Sequence, residues 1–288
     1  MADSHKLKHS LDILAEKYGA GYLDSDPVGI VHRYESDADR EVAGFIASSL
    51  AYGGAGQIRK SVETILSQTG QSPADFARSL TFESALKSFP GFKHRWTDGG
   101  EIAYLFLAVG RILNEYGSVG DFVKTLYDSE DETIFGAMTG FSEWIANNYS
   151  EDFSRGSKRS GISYLVPSPA NGSACKRLAL YFRWMVRGPD NVDFGIWDFI
   201  SASKLVIPVD RHIARMGTLL GLTSRKSPDW KMAVEITESL KRFDPDDPVR
   251  YDFALVRPGI LGDCNSLGDG KNCEMCELVT FCTAVEPK

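Results

Sequence analysis

Long apolar runs are missing from this chain: the longest, roughly Ile102 to Val109, is far too short to span a bilayer. The opening stretch, Met1 to Lys8, lacks the apolar core of a signal peptide, so the expected location is the cytoplasm, away from membranes. Period-two alternation is rare, which excludes a sheet-dominated fold, and neither an internal repeat nor a low-complexity segment is present. A basic excess is missing too. With Lys+Arg 32 against Asp+Glu 39, the net charge of -7 argues against whole-surface attraction to nucleic acid, so any polyanion would be held by a local patch. Cysteine is scarce, at five residues, and four of them fall in the last 25. In a reducing compartment that crowding points to metal binding or reactivity, not to a disulfide framework. Cys175 stands alone.

What is present reads as a globular helical protein. A hydrophobic share of 43% and a charged share of 25% are near typical usage, and 288 residues can bury a core as one large domain or two lobes. Leu7, Leu11, Leu14 and Ala15 recur at helical spacing before the turn Asp24-Ser25-Asp26-Pro27. Asp37 or Asp39 can cap a helix over 40–52, Gly53 to Gly56 ends it, and another follows over 57–67. Ser72-Pro73 opens the next, and helices are expected over 102–116, 119–127 and 133–148. Residues 150–173 carry loop chemistry around a short apolar piece, Ile162 to Val166. Beyond them, helices are expected over 174–187, 210–220, 229–243 and 249–257, giving an all-α fold of ten or so helices.

The cysteines are spaced Cys264-x8-Cys273-x2-Cys276-x5-Cys282. Four thiolates so close in sequence can envelop an iron–sulfur cluster or a tetrahedral zinc, or stand unliganded; only one Cys-x2-Cys pair occurs, whereas zinc ribbons usually present two.

Upstream of these cysteines lies Val209-Asp210-Arg211-His212-Ile213-Ala214-Arg215. A helix beginning Val-Asp-x-His-Ile-x-Arg, followed some fifty residues later by four spaced cysteines, resembles the ending of endonuclease III-like DNA glycosylases of the helix-hairpin-helix (HhH-GPD) superfamily, here in a bacterial branch distinct from endonuclease III itself. Gly172-Ser173-Ala174-Cys175-Lys176 resembles that family's hairpin, with Ala174 in place of the second glycine and Lys176 at the position of the lysine nucleophile. The chain departs from the pattern in a first cysteine gap two residues longer, a longer loop over 167–171, and 33 residues between Lys176 and Asp210.

The residues also have readings of their own. A helix start over 173–176 exposes backbone N–H groups that, with Arg177, can hold a phosphate, or it is simply a capped helix with solvated basic residues. Lys176 can attack a sugar C1′ if its amine is deprotonated, or it is a plain surface lysine. Asp210, two residues past Pro208, is an N-cap, a carboxylate supporting a cationic sugar, or both. His212 reads as structural. Tyr52 lies where the superfamily puts a loop that probes the duplex, and it reads equally as a core tyrosine. The mixed cluster Phe92 to Trp96 receives no role.

The resemblance implies a two-lobed helical glycosylase-like fold: 41–206 with the hairpin, and 1–40 joined to 207–288 with a four-cysteine iron–sulfur loop. It implies a monomer that binds DNA, with RNA as the alternative, everts a damaged base and cleaves its glycosidic bond, possessing abasic-site lyase activity where Lys176 forms a Schiff base. Lys176 and Asp210 would be catalytic. Gly172, Ser173, Ala174, Arg177 and Tyr52 would bind nucleic acid, and Cys264, Cys273, Cys276 and Cys282 would ligate a four-iron cluster. The alternatives are a nucleic-acid-binding protein that lost catalysis on this scaffold, and a zinc-stabilised interaction protein.

Overall fold

The computed structural model describes residues 2–148, 160–264 and 273–284. It is predominantly helical, as the missing period-two patterning predicts, and among the described residues the only sheet is one two-stranded hairpin. No helix among them is long and apolar enough to cross a membrane.

The helices are α1 (Ala2–Lys17), α2 (Val28–Val31), α3 (Asp37–Ser49), α4 (Ala55–Leu66), α5 (Pro73–Ser79) and α6 (Phe82–Ala85), followed by the hairpin β1 (Lys93–His94) and β2 (Thr97–Asp98). Then come α7 (Gly99–Tyr116), α8 (Val119–Leu126), α9 (Phe135–Asn147), α10 (Ser160–Leu165), α11 (Lys176–Val186), α12 (Arg211–Leu219), α13 (Trp230–Lys241) and α14 (Asp252–Leu261). Many starts are written in short polar residues. Ser36, Ser72, Asp98, Ser118, Asp210 and Asp229 each accept a backbone N–H of the following turn, which satisfies donors a helix end otherwise leaves orphaned.

The central helix is α7, buried from Ile102 through Gly110. It packs against α3, α5, α6 and α8, while α3 also packs on α11. Gly110 makes one crossing possible: a Cβ there would sit 2.0 Å from the Ala77 carbonyl oxygen of α5, so any side chain would push the two helices apart. On the other side α14 meets both α1 and α12. Buried side chains from all these helices form one continuous core.

The structure differs from the sequence expectation in several places. Helix α3 begins at Asp37 and is capped by Ser36, whose side chain accepts the Asp39 backbone N–H, so neither Asp37 nor Asp39 is the cap. The apolar piece within 150–173 is the helix α10, because Ile162, Leu165 and Val166 bury one side against the core, and Ser142 Oγ on α9 donates to the Val166 carbonyl. The helix expected from residue 249 begins as a short 3-10 turn, Pro248–Tyr251, and becomes α-helical at Asp252. The hairpin over 93–98 was absent from the sequence reading, since two-residue strands have no periodicity to detect.

Candidate active-site cleft

Lys176 is the first residue of α11, and Cys175 before it is left-handed (φ 49°), which stops the helix from extending upstream. The Cys175 thiol is buried, donates to the Pro167 carbonyl at 3.2 Å, and is pushed up to about 12 by burial; it is an inert packing residue. Just before it, Gly172 turns with positive φ and Ser173 forms an antiparallel bridge to Asp229. Ala174 is buried.

Asp210 occupies the N-cap of α12. Its Oδ1 accepts from the backbone N–H groups of His212 (2.8 Å) and Ile213 (3.0 Å). That fixes the carboxylate and leaves Oδ2 facing Lys176 Nζ, 3.3 Å away. Lys176 Nζ also donates to the Ala51 carbonyl at 3.3 Å. The 33-residue separation in sequence is therefore closed in space, and the two expected catalytic side chains share the wall of a cavity of about 670 Å³.

The same cavity is lined by Tyr52, Gly53 and Gly54 from the turn between α3 and α4, by Arg95 from the hairpin, and by Asp26 beside α2. Tyr52 is half-buried and fully engaged. Its hydroxyl donates to the His94 carbonyl (2.8 Å) or to Thr97 Oγ1 (2.7 Å), and its own carbonyl accepts from His94 Nε2 at 3.0 Å. Arg177 is turned from solvent: its guanidinium lies over the rings of Tyr164 (4.1 Å) and Tyr52 (5.1 Å) and donates to the Tyr164 carbonyl. Burial pulls its pKa down against the opposing pull of Tyr164.

His212 also lines the cavity, and burial lowers its pKa despite the nearby Asp210 charge, so the ring is neutral at pH 7. Gly259 of α14 is the reason the ring fits, because a Cβ there would lie 2.3 Å from His212 Nδ1.

Sequence reasoning missed a further cavity-wall carboxylate, Asp252 at the start of α14. It accepts from Arg183 Nη1 at 2.5 Å, while Arg183 Nε and Nη2 reach Asp193 at 3.1 and 3.0 Å. Both Arg183 and Asp193 are 1% exposed. Burial pushes the Asp252 carboxyl up to about 6; the Asp210 charge adds to this, while Arg183 and Lys176 oppose it. A partner 69 positions away leaves no local signal, although Lys176 and Arg183 at i and i+7 lie on one face of α11.

Cys264, Cys273, Cys276 and Cys282 are all half-buried beyond α14. Burial raises the Cys264 thiol, and Cys282 and Cys273 add to the rise while Arg215 opposes it; Cys276 is raised by burial with contributions from Cys264 and Cys273. The four sulfurs are thus electrostatic neighbours. Among the described residues, no group of three or more His, Cys, Asp or Glu side chains stands in the arrangement of a single-ion site.

Comparison with known proteins adds a family. No curated protein and no solved structure matches the chain. Residues 26–261, which include the cleft, match the family described as protein of unknown function (DUF2400), and the chain belongs to that family.

Proposed function

We propose that this protein is a DNA glycosylase of the helix-hairpin-helix kind with abasic-site lyase chemistry, acting on a base everted into the cleft. The observation that carries this reading is the 3.3 Å approach of Lys176 Nζ to Asp210 Oδ2 in the wall of a cavity whose size suits a nucleotide. Lys176 gives one proton to Asp210, whose other oxygen remains engaged in the α12 cap. The freed amine forms an Nζ–C1′ bond as the C1′–base bond breaks with its electron pair on the base, and the proton passes from Asp210 to the departing base. A second lysine proton goes to O4′ as the sugar ring opens, which leaves a protonated imine.

The cysteines suit the iron–sulfur cluster expected from the resemblance, since four neighbouring thiols supply the terminal ligand each iron needs. Arg215, one turn into α12, donates to the Cys264 carbonyl at 3.0 Å, so the cysteine loop and the helix that begins at Asp210 are fastened together. When bound, the cluster would order this loop and supply no electrons to the reaction. Four thiols also suit zinc, and the iron, sulfide and zinc content of anaerobically purified protein separates the two.

The test is borohydride trapping on a duplex containing an abasic site. The wild type is expected to give a covalent adduct that Lys176→Ala abolishes; no adduct, or one that survives Lys176→Ala, overturns the lyase reading. A second reading draws on the same ion pair: an ammonium satisfied by Asp210 and the Ala51 carbonyl is a good structural lysine, and the chain would then bind nucleic acid without cleaving it. Binding without trapping is its signature.

A further inference from the structure

At the mouth of the cavity the hairpin carries two side chains with no role in the core. Arg95 and Trp96 form the turn between β1 and β2, and Trp96 is 67% exposed, against 44% for Tyr164 and 39% for Phe135. The Arg95 guanidinium lies 4.4 Å from the Trp96 ring centre, and Arg95 itself lines the cavity. Its φ of 54° is a conformation that glycine adopts at little cost and a long side chain does not, yet an arginine stands there. The hairpin is strapped from beneath by Tyr52, whose hydroxyl reaches both the His94 carbonyl and Thr97 Oγ1.

A large, open aromatic ring beside a cation, anchored by the Tyr52 hydroxyl bonds at the rim of a cavity, is the equipment for stacking a nucleobase and drawing in its phosphate. Tyr52 is poorly suited to that task, because its ring packs edge-on against His94 (4.6 Å) and Tyr164 (5.2 Å) and its hydroxyl is engaged. Trp96 stands 6.3 Å from both Tyr52 and Tyr164, the outermost ring of the group. Exposed Lys93 on the same hairpin adds positive charge in a chain that is acidic overall.

We infer that the Arg95–Trp96 turn, and not Tyr52, is the surface on which an unstacked base of bound DNA rests. This extends the nucleic-acid reading above and depends on it. Trp96 supplies the stacking face, Arg95 holds the indole and meets the adjacent phosphate, and Tyr52 is a positioning residue that fixes the hairpin.

Binding is measured by fluorescence anisotropy on two duplexes of one sequence, intact or with a tetrahydrofuran abasic analogue that leaves the opposite base unpaired and cannot form a Schiff base. The wild type is expected to prefer the analogue duplex. Trp96→Ala should reduce that preference about tenfold, and Trp96→Phe should keep most of it. An unchanged preference in Trp96→Ala overturns the inference even where trapping succeeds. A lost preference without trapping in the wild type sustains the inference and overturns the lyase. No DNA binding by the wild type overturns both.

Discussion

Asp210 performs two jobs with two oxygens, and two substitutions separate them. Asp210→Asn keeps an Oδ1 acceptor for the N–H groups of His212 and Ile213 but removes the charge facing Lys176; Asp210→Ala removes both. A Coulomb energy at 3.3 Å would be about 5 kcal/mol at an effective dielectric of 20 and about 1 in water. The side chains are 32% and 18% exposed, so the pair is worth about 1 kcal/mol after solvent screening, with about 0.5 more for a negative charge at the α12 N-terminus. Losing the cap costs about another 1 kcal/mol. At roughly 2 °C per kcal/mol for a chain of this size, the asparagine variant should melt about 3 °C below wild type and the alanine variant about 5 °C below. Both should lose borohydride trapping. Equal melting temperatures for the two variants would refute the capping role, and trapping retained by Asp210→Asn would refute the proton transfer.

Two further outcomes follow from buried carboxylates. The Asp252 carboxyl, held near 6 when folded against 3.8 when free, binds its proton more tightly in the native state, so its contribution to stability is greatest at low pH and declines as pH rises through 4 to 6. Thermal melts should therefore show wild type losing roughly 1.4 kcal/mol relative to Asp252→Asn between pH 5 and pH 8, and a pH-independent difference would disprove the assignment. Glu41, 3% exposed, accepts from the backbone N–H groups of Val119 (2.9 Å) and Gly120 (2.7 Å) and from Trp197 Nε1 (2.7 Å). Glu41→Ala orphans three buried donors and should cost about 3–6 kcal/mol in urea unfolding, with Glu41→Gln in between; a loss under 1 kcal/mol would show that the donors find other partners.

Helix starts were legible in the sequence because caps act locally. Ser72-Pro73, Asp210 and Asp229 each announce a helix within three residues, and the structure begins α5, α12 and α13 there. The Lys176–Asp210 approach was conditional until the chain between them was folded, because spacing alone does not say whether two helix starts face one another. The Arg183–Asp252 pair and the Gly259 seat for His212 depend on contacts across 69 and 47 positions, and neither leaves a periodic or local trace. Trp96 was visible as a residue but not as a surface; its meaning comes from the Tyr52 hydroxyl bonds that hold up its turn.

Helix α11 is, in effect, a clock hand pinned in its last turn. Arg183 is locked to Asp193 and Asp252, and seven residues earlier Lys176 points at Asp210. Seven residues make almost two full turns, so the hour at which the lysine points is set by counting residues back from the pin. Adding or deleting one residue between them would swing the amine about 100° around the axis and away from its carboxylate, with every named side chain still present. In this stretch the length of the chain is as much a part of the site as the identity of the lysine.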